Sequence, residues 1–442
     1  MNKKFTRWLL CMLVCMYGSA TWALDQVGGV YQIGTGQDLA DFAALVNGSN
    51  PYANAVLTSD IDYTGQSAVI GTKSNRFFGC LDGQGHTVKV DFTATGDRPA
   101  LFGYVNGIIR NLHVTGNIKT PVQGSGGIVS NLYGALLENC SCDAVIETNV
   151  VGDATCGGLV GRTDRCTSIR NCVFSGKIVG AETTCCGGLV GWIEGPTTFT
   201  NCVQIGELAI IVDDASDAIG RNSEANGIIA NCYTLAGFKG HVKAAVKQVT
   251  AAQLEGGEVA FHTGMGQKLD TEKIPSPLSQ NRVYATATSC NGEGATGFTN
   301  NKAEAQMPGH SFVGYKCSVC GALNEQFMTP ENGVYKVSAP EQLAWVAEMV
   351  NSGHMTMNVQ LTADIDLGAY TEWPMIGVDS NPYRGHFDGQ HHKISNLVIN
   401  RPTGVGVTLT GFTLHFSCCF TELLHSLFIT LLHNFTMQEK CY

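Results

Sequence analysis

Charged residues are scarce in this sequence: Asp, Glu, Lys and Arg make up 14% of its 442 residues, against about 25% in an ordinary soluble domain. Proline is scarce too, with 12 residues, whereas glycine is abundant, with 53. The formal net charge is −10, and no basic cluster follows the first residues. Proteins that bind nucleic acid present clustered Lys and Arg. We therefore exclude nucleic acid as an expected partner.

Long apolar runs of the kind that span a membrane are also missing. The apolar stretch at residues 8–17 is short, follows three basic residues and precedes small residues around Ala23. This pattern is typical of a secretory signal peptide. We predict a signal peptide at residues 1–23 and a protein that is secreted or displayed at the cell surface.

Helical periodicity is absent from most of the chain, and a repeat of about 30 residues is present instead. The phrase Gly-Gly-Leu-Val-Gly occurs at residues 157–161 and again at 187–191. Short β-branched runs lie between glycine turns, which indicates strands and turns. Helical repeats are disfavoured by this content of Gly, Val, Ile and Thr, and a propeller blade needs about 40 residues or more.

The repeat predicts an all-β fold, a right-handed parallel β-helix (a solenoid) from about residue 56 to residue 232. Right-handedness is expected because nearly all crossovers between parallel strands have that hand. Leu159, Val160, Leu189 and Val190 should line the interior. Four asparagines should stack in register, each followed by a cysteine: Asn139, Asn171, Asn201 and Asn231. The cysteines that follow them should stack as small buried side chains rather than form disulfides, which need Cβ atoms that face each other.

The ends of this solenoid need caps, and residues 31–50 predict an N-terminal capping helix. Leu39, Phe42, Ala43 and Val46 lie there at helical spacing. The same cassette returns later in the chain, with Asp60 and Asp62 repeated 304 residues on as Asp364 and Asp366. A calcium role for these acids has little support, and we interpret them as turn residues.

The predicted organisation is therefore a β-helix at 24–285, a linker with a Cys/His mini-module at 286–330, and the start of a second, truncated β-helix unit at 331–404. The pattern stops after residue 404. We interpret residues 405–442 as an atypical, frame-shifted tail, and we predict that residues 413–442 pack poorly and contribute nothing to function.

Several of these pieces together carry a family resemblance. They are the Gly-Leu-Val-Gly phrases at 158–161 and 188–191, the helix before "LTADIDL", the "FDGQ" turn and residues 249–264. On them the chain resembles bacterial surface proteins that carry the GLUG motif on a β-helix, over about 24–404. The resemblance implies export and adhesion or surface display, and it implies no catalytic residues.

Three acids lie in phase after the repeated phrase, at Asp164, Glu194 and Glu224. They predict an acidic column, for which three interpretations are open. The side chains are solvated turn residues, or they bind Ca²⁺, or they form a paired-carboxylate site of a glycosidase or lyase.

Four residues of the linker have the spacing of metal ligands: Cys290, His310, Cys317 and Cys320. The Cys-x-x-Cys-Gly knuckle with one more cysteine and one histidine predicts a closed Cys₃His structural zinc site. The linker has few large apolar residues, so we expect it to need such a staple. Oxidation to disulfides, or free thiols, is the alternative for an exported protein.

Two functions follow from these patterns. The first is a non-catalytic protein that binds a host or matrix glycan or protein at the cell surface. The second is a polysaccharide-active β-helix enzyme, a lyase or glycosidase. Enzymes of this kind group acids and bases on one face, and no His or Lys recurs in phase here. Binding is the preferred hypothesis.

Overall fold

In a computed structural model of the chain, the structure describes residues 24–93, 100–213, 215–292, 294–306, 308–371, 373–378 and 381–398. The predicted signal peptide and the predicted tail lie outside the described residues. The described chain divides into two compact units. The first unit takes residues 24–288 and 294–306, and the second takes 289–292 and 308–398.

Three sheets make up most of the first unit, and all of their strand pairs are parallel except the first pair of sheet 1. Sheet 1 has nine strands, in the order Gln26–Val27, Val30–Ile33, Asn54–Leu57, Cys80–Asp82, Ile108–Arg110, Leu136–Glu138, Thr167–Arg170, Thr197–Thr200 and Gly227–Ala230. Sheet 2 has five strands, Phe102–Val105, Val129–Tyr133, Val160–Asp164, Val190–Ile193 and Gly220–Arg221.

Sheet 3 has eleven strands and divides into two branches. Its shared strands are Ile61–Asp62, Thr87–Thr93 and His113–Thr120. One branch continues with Ser141–Cys142, Val173–Phe174, Val203–Gln204, Cys232–Leu235 and Val246–Val249. The other continues with Val145–Thr148, Lys177–Val179 and Glu207–Ala209. Two small pairs complete the unit, Gly152–Asp153 with Thr183–Thr184 and Tyr284–Thr286 with Gly297–Thr299.

Helices are few and short. They are α1 Gly36–Gly48, α2 Ser223–Asn226, α3 Ala251–Glu255, α4 Glu258–Thr263 and, in the second unit, α5 Pro340–Asn351. Within the described ranges, none of the helices has the length and apolar character that crossing a bilayer requires. The all-β prediction is confirmed.

The chain visits sheets 2, 1 and 3 in turn, and each strand pairs with its counterpart from the next repeat. In sheet 2, Val129 lies opposite Val160, which lies opposite Val190. The valines and leucines of the repeated phrase were predicted to line the interior, and this is confirmed: Leu159, Val160, Leu189 and Val190 are fully buried.

The asparagines form a continuous hydrogen-bonded ladder, as predicted. The Nδ2 atom of Asn171 donates to Oδ1 of Asn139 at 2.9 Å, and the next two steps have lengths of 3.0 and 2.8 Å. Each has a φ between 51° and 53°, in the left-handed region that asparagine tolerates better than most residues. Asn111, which precedes a leucine instead of a cysteine, extends the ladder by one step.

The cysteines beside this ladder are buried and free. Cys140, Cys172, Cys202 and Cys232 have no exposed surface and form no disulfide. Burial, together with the neighbouring thiol of the column, raises the pKa of Cys172 and of Cys202 well above the ordinary value. The Cys172 and Cys202 thiols therefore stay protonated. The four cysteines pack as small buried side chains, as predicted.

Helix α1 caps the N-terminal part of the first unit. Thr35 accepts a hydrogen bond from the Asp38 amide at 3.1 Å, and the Asp38 carboxylate accepts one from the Thr35 amide at 2.9 Å. This reciprocal pair defines where the helix begins. The buried face consists of the predicted residues, Leu39, Phe42, Ala43 and Val46. The capping-helix prediction is confirmed.

Helices α3 and α4 pack on the other part of the unit. Leu254 and Val259 join a cluster with Val173, Val203 and Tyr233, which lie in sheet 3. The Nδ2 atom of Asn231, the last ladder residue, donates to the carbonyl of His262 in α4 at 2.7 Å. Parallel pairing continues past the predicted end at residue 232, to the strand Val246–Val249.

The second unit repeats the opening cassette of the first. A parallel sheet of Val334–Val337, Asn358–Leu361 and Phe387–Asp388 packs against α5, and Ile365–Asp366 pairs with Ile394–Ser395. A two-stranded antiparallel pair, Phe312–Val313 with Lys316–Cys317, precedes it. Residues 286–330, which we expected to need a metal site because they hold few large apolar residues, also contribute Tyr315, Leu323, Phe327 and Met328 to the apolar cluster of this unit.

Candidate metal centre

A hairpin and a following turn place two of the predicted ligands. The hairpin Phe312–Val313 with Lys316–Cys317 turns at Gly314, whose φ of +61° a side chain would disfavour. The amide of Gly321 then donates to the carbonyl of Cys317 at 2.8 Å. This turn closes the Cys-x-x-Cys-Gly knuckle, so that Cys317 and Cys320 lie on the same side of it.

The hairpin is joined to the core of the second unit through α5. The Nζ atom of Lys316 lies 2.8 Å from Oε2 of Glu348, and the Tyr315 hydroxyl donates to Oε1 of the same residue at 2.9 Å. Two neighbouring residues thus hold one carboxylate of the helix. The knuckle is therefore attached to regular structure and not only to a loop.

Cys290 reaches the knuckle from a separate turn. The amide of Gly292 donates to the carbonyl of Ser289 at 3.0 Å, which closes a tight turn around Cys290. Cys290 and Cys317 are each only 3% exposed, whereas Cys320 is half-buried and His310 is exposed.

The four predicted ligands converge, which confirms that part of the prediction. Their ligand atoms all lie within 4.8 Å of one another. The Sγ atoms of Cys290 and Cys317 are 3.8 Å apart, and Sγ of Cys320 is 3.4 Å from Nδ1 of His310. Tetrahedral zinc with Zn–S of about 2.3 Å and Zn–N of about 2.0 Å needs S···S of about 3.8 Å and S···N of about 3.6 Å. The Cys290–Cys317 and Cys320–His310 distances are close to those that the ion requires.

The thiols of the cluster differ in acidity. Hydrogen bonds from the backbone amides of Cys320 and Val319, with a further contribution from His310, lower the pKa of Cys317 to about 5. Burial first, and the neighbouring thiols second, raise the pKa of Cys290 to about 11. A thiolate is thus present at neutral pH beside thiols that a cation would deprotonate, which is the chemistry of a metal ligand set.

The acidic column is less uniform than its spacing predicts. Asp164 and Glu194 come at or directly after strands of sheet 2, but Glu224 lies on α2. The strand Gly220–Arg221 pairs irregularly with Val190 and Trp192, and the chain forms a helical turn at Ser223–Asn226 directly after it. Glu194 forms an ion pair with Arg162, and Glu224 lies 3.7 Å from Nε2 of His241. The Ca²⁺ and carboxylate-pair interpretations of these acids stay predictions.

A groove on the outer side of sheet 2 was missed by the sequence reasoning. It has a volume of about 280 Å³ and is lined by Gln123, Gly124, Asp153, Thr155, Arg162, Trp192 and Arg221. One signal was available, because Arg162 and Trp192 are 30 residues apart and lie opposite each other in the sheet. The sequence predicted a site at the acidic residues of the repeat and not at its basic and aromatic residues.

Comparisons with known proteins add little to these observations. No protein-family model matches the chain, and no curated protein matches it. Among solved structures, the chain is similar to a candidate immunoglobulin A1 protease from Bacteroides ovatus. The identity is 20%, the match covers 57% of this chain and 93% of that one, and the TM-score is 0.43. The two chains are only distantly alike.

Proposed function

We propose that the protein is an exported, non-catalytic protein, secreted or held at the cell surface, whose repeats bind a glycan or another protein. In this proposal the first unit is a right-handed parallel β-helix of the kind that carries GLUG motifs. Parallel pairing of each strand with its counterpart one repeat later supports that architecture. A solenoid of this type offers long, regular outer faces, which suit binding to extended partners.

The observation that carries the proposal is the register of sheet 2, which aligns side chains from successive repeats on one outer face. Arg162, Trp192 and Arg221 are consecutive partners in this alignment. Their side chains line one groove together with polar side chains of a neighbouring loop. Aromatic and Arg side chains beside each other are typical of recognition surfaces.

The state of the acids favours binding over hydrolysis. A glycosidase needs a carboxylic acid with a raised pKa as its proton donor. Within the described ranges, every carboxyl whose pKa is shifted has it lowered, by hydrogen bonds to backbone amides or neighbouring side chains: Asp60, Asp62, Asp143, Asp213, Asp364, Asp366 and Asp388. Such carboxylates are ionised and paired at neutral pH.

One binding experiment tests the function. The purified full chain is applied to arrays of extracellular glycans and matrix proteins, and in parallel to a panel of polysaccharides whose cleavage is followed by new reducing ends or unsaturated products. Binding without cleavage is the expected result. Cleavage of any polysaccharide by the purified chain would show that the protein is an enzyme.

The metal centre has a structural role in this proposal. Cys290, His310, Cys317 and Cys320 bind one Zn²⁺, which joins Cys290 to ligands that lie 20 to 30 residues further along the chain. Four protein ligands leave no open position for a substrate, as in structural zinc sites. The supporting observation is the convergence of the four ligand atoms.

Metal analysis of the purified full chain tests this role. We expect one zinc per chain, and its loss in Cys317→Ser. Cys80→Ser is the matched control, since Cys80 is a half-buried free cysteine of the first unit. A chelator should lower the unfolding temperature of the wild type and of Cys80→Ser, but not that of Cys317→Ser. Wild type without zinc, or Cys317→Ser with a full zinc equivalent, would contradict the assignment.

A further inference from the structure

The groove of sheet 2 is a polar site at the surface of the first unit, and its walls come from two parts of each repeat. Arg162, Trp192 and Arg221 come from three successive strands of the sheet. Gln123, Gly124 and Thr155 come from loops that precede strands of the sheet, and Asp153 comes from the short strand Gly152–Asp153. At about 280 Å³, it lies at the small end of ligand pockets, which measure about 300 to 1,000 Å³. That volume suits one sugar residue, and an open groove lets a longer chain continue beyond it.

Arg221 is held rigidly at one end of the groove. Its Nη1 atom donates to Oδ1 of Asp153 at 2.8 Å, to the Thr155 hydroxyl at 3.1 Å and to the carbonyl of Cys185 at 3.3 Å. Its guanidinium carbon also lies 5.0 Å from the ring centre of Trp192. Only 13% of the side chain is exposed. A guanidinium fixed in this way loses little conformational entropy when it binds a ligand.

The donors of Arg221 are not all used. Among the described residues, the buried Nε of Arg221 has no hydrogen-bond partner, and the three hydrogen bonds described above all come from Nη1. Nε and Nη2 form the edge of a guanidinium that binds a carboxylate or sulfate through two parallel hydrogen bonds. Leaving the buried Nε of Arg221 unpaired is costly. An anionic group that approaches this edge of the guanidinium is therefore favoured.

Arg162 lies two strands from Arg221, on the other side of the strand of Trp192, and has a similar arrangement. Its Nη2 atom pairs with Glu194, while its buried Nε has no hydrogen-bond partner among the described residues. The carboxylates that neutralise the two guanidiniums, Glu194 and Asp153, are about 40% exposed. Each carboxylate pairs with one nitrogen of its guanidinium, Nη2 of Arg162 and Nη1 of Arg221, and leaves the other donors for a ligand. A ligand rich in acceptors is therefore preferred.

We propose that this groove binds one anionic sugar residue of an acidic oligosaccharide, with its carboxylate or sulfate on the unused edge of Arg221 and beside Arg162. Thr155 and Gln123 line the same groove and would border the neutral part of the same ring. The inference rests on the proposed binding function and specifies the class of ligand and its site.

Binding of the purified full chain to defined oligosaccharides tests the inference. The carboxylate probes are hexagalacturonate and an alginate hexamer, the sulfate probe is an oligomer of sulfated dextran, and the neutral probes are maltohexaose and unsulfated dextran. Calorimetry gives the affinity, and the fluorescence of Trp192 reports on the groove. We expect an anionic probe to bind at least tenfold more tightly than the neutral ones, and less tightly as salt is raised.

Variants connect the binding to the groove. Arg221→Gln and Arg162→Gln should each weaken binding of the anionic probe at least tenfold, and Trp192→Phe should remove the fluorescence response while binding persists. Lys177→Gln is the matched control, since Lys177 pairs with Glu207 in sheet 3, away from the groove. Circular dichroism and unfolding temperature identify any variant that fails to fold. If Arg221→Gln fails to fold, the folded variant Arg162→Gln takes its place in the comparison.

The outcomes separate this inference from the function on which it rests. Selective binding of the carboxylate probes or of the sulfate probe supports the inference and identifies the anionic group. Binding that is equal for neutral probes, or that persists in folded Arg221→Gln and Arg162→Gln, overturns it. Binding only to a protein or a neutral glycan also overturns it but leaves the proposed binding function intact. Cleavage of a probe overturns the proposed function itself.

Discussion

The second glycine of the repeated phrase explains why the phrase recurs, and Gly158→Ala is the substitution that tests it. A Cβ at this position would lie 2.3 Å from the carbonyl oxygen of Gly188 in the next repeat, and 2.3 Å from the ring of Phe174. The same carbonyl accepts the hydrogen bond of the Gly158 amide at 3.1 Å. Relieving the first clash therefore pulls two neighbouring repeats apart.

The magnitude follows from these two contacts. Inserting a carbon into a packed core costs about 1 to 3 kcal/mol, and a lost backbone hydrogen bond costs about 1 kcal/mol more. The two contributions together give about 2 to 4 kcal/mol. Because the clash is with backbone, which cannot rotate away, we exclude the lower end of this range and expect about 3 kcal/mol. In a domain as large as the first unit, each 1 kcal/mol lost from the free energy of unfolding lowers the unfolding temperature by about 2 to 4 °C. The expected decrease is therefore about 6 to 12 °C.

Calorimetric unfolding of the full chain measures this shift. Gly297→Ala is the matched control, because no atom of another residue lies within 4 Å of the Cβ it would add. We expect this control to unfold within about 2 °C of the wild type, since a surface change is worth about 0.5 kcal/mol. Adding Phe174→Leu to Gly158→Ala removes the ring clash only and should not restore stability. If Gly158→Ala unfolds with the wild type, the close approach of repeats is not the reason for the glycine.

Three further outcomes are expected. Asn171→Ala should lower the free energy of unfolding by about 3 kcal/mol, because two side-chain hydrogen bonds are lost and alanine disfavours the left-handed backbone. Asn171→Gly should lower it by less. If denaturant titrations show that Asn171→Gly loses as much stability as Asn171→Ala, or more, the result refutes the ladder argument. Thr35→Ala should cost about 1 kcal/mol through the lost helix cap, measured the same way, and no loss would contradict it. The hydrogen bond from His113, with other contacts, lowers the pKa of Asp143 from 3.8. The ionised Asp143 carboxylate therefore stabilises the folded protein above pH 3.8, and this stabilisation disappears as the pH falls through the lower pKa of the folded state. Asp143→Asn should therefore be less stable than the wild type at pH 7, and the difference should vanish in acid; a difference independent of pH would exclude this linkage.

The sequence by itself determined the features that repeat or that follow a local period. Asn171 and Asn201 are 30 residues apart, and parallel pairing of equal repeats brings such residues into contact whatever the details of the coil. The buried face of α1 follows from the helical spacing of Leu39, Phe42 and Val46. The spacing of Cys317 and Cys320 was enough to identify a knuckle, because two residues between ligands leave few backbone geometries.

Only the tertiary structure decided which side chains pair across repeats. Arg162 could have paired with Asp164, but it pairs with Glu194 of the next strand. The spacing of 29 residues between Trp192 and Arg221 reflects an irregular register that no period predicts. The groove exists because these side chains meet loops from other parts of the repeat, and such contacts depend on the path of the chain in three dimensions. A period fixes which residues share a column, whereas packing decides what stands beside the column.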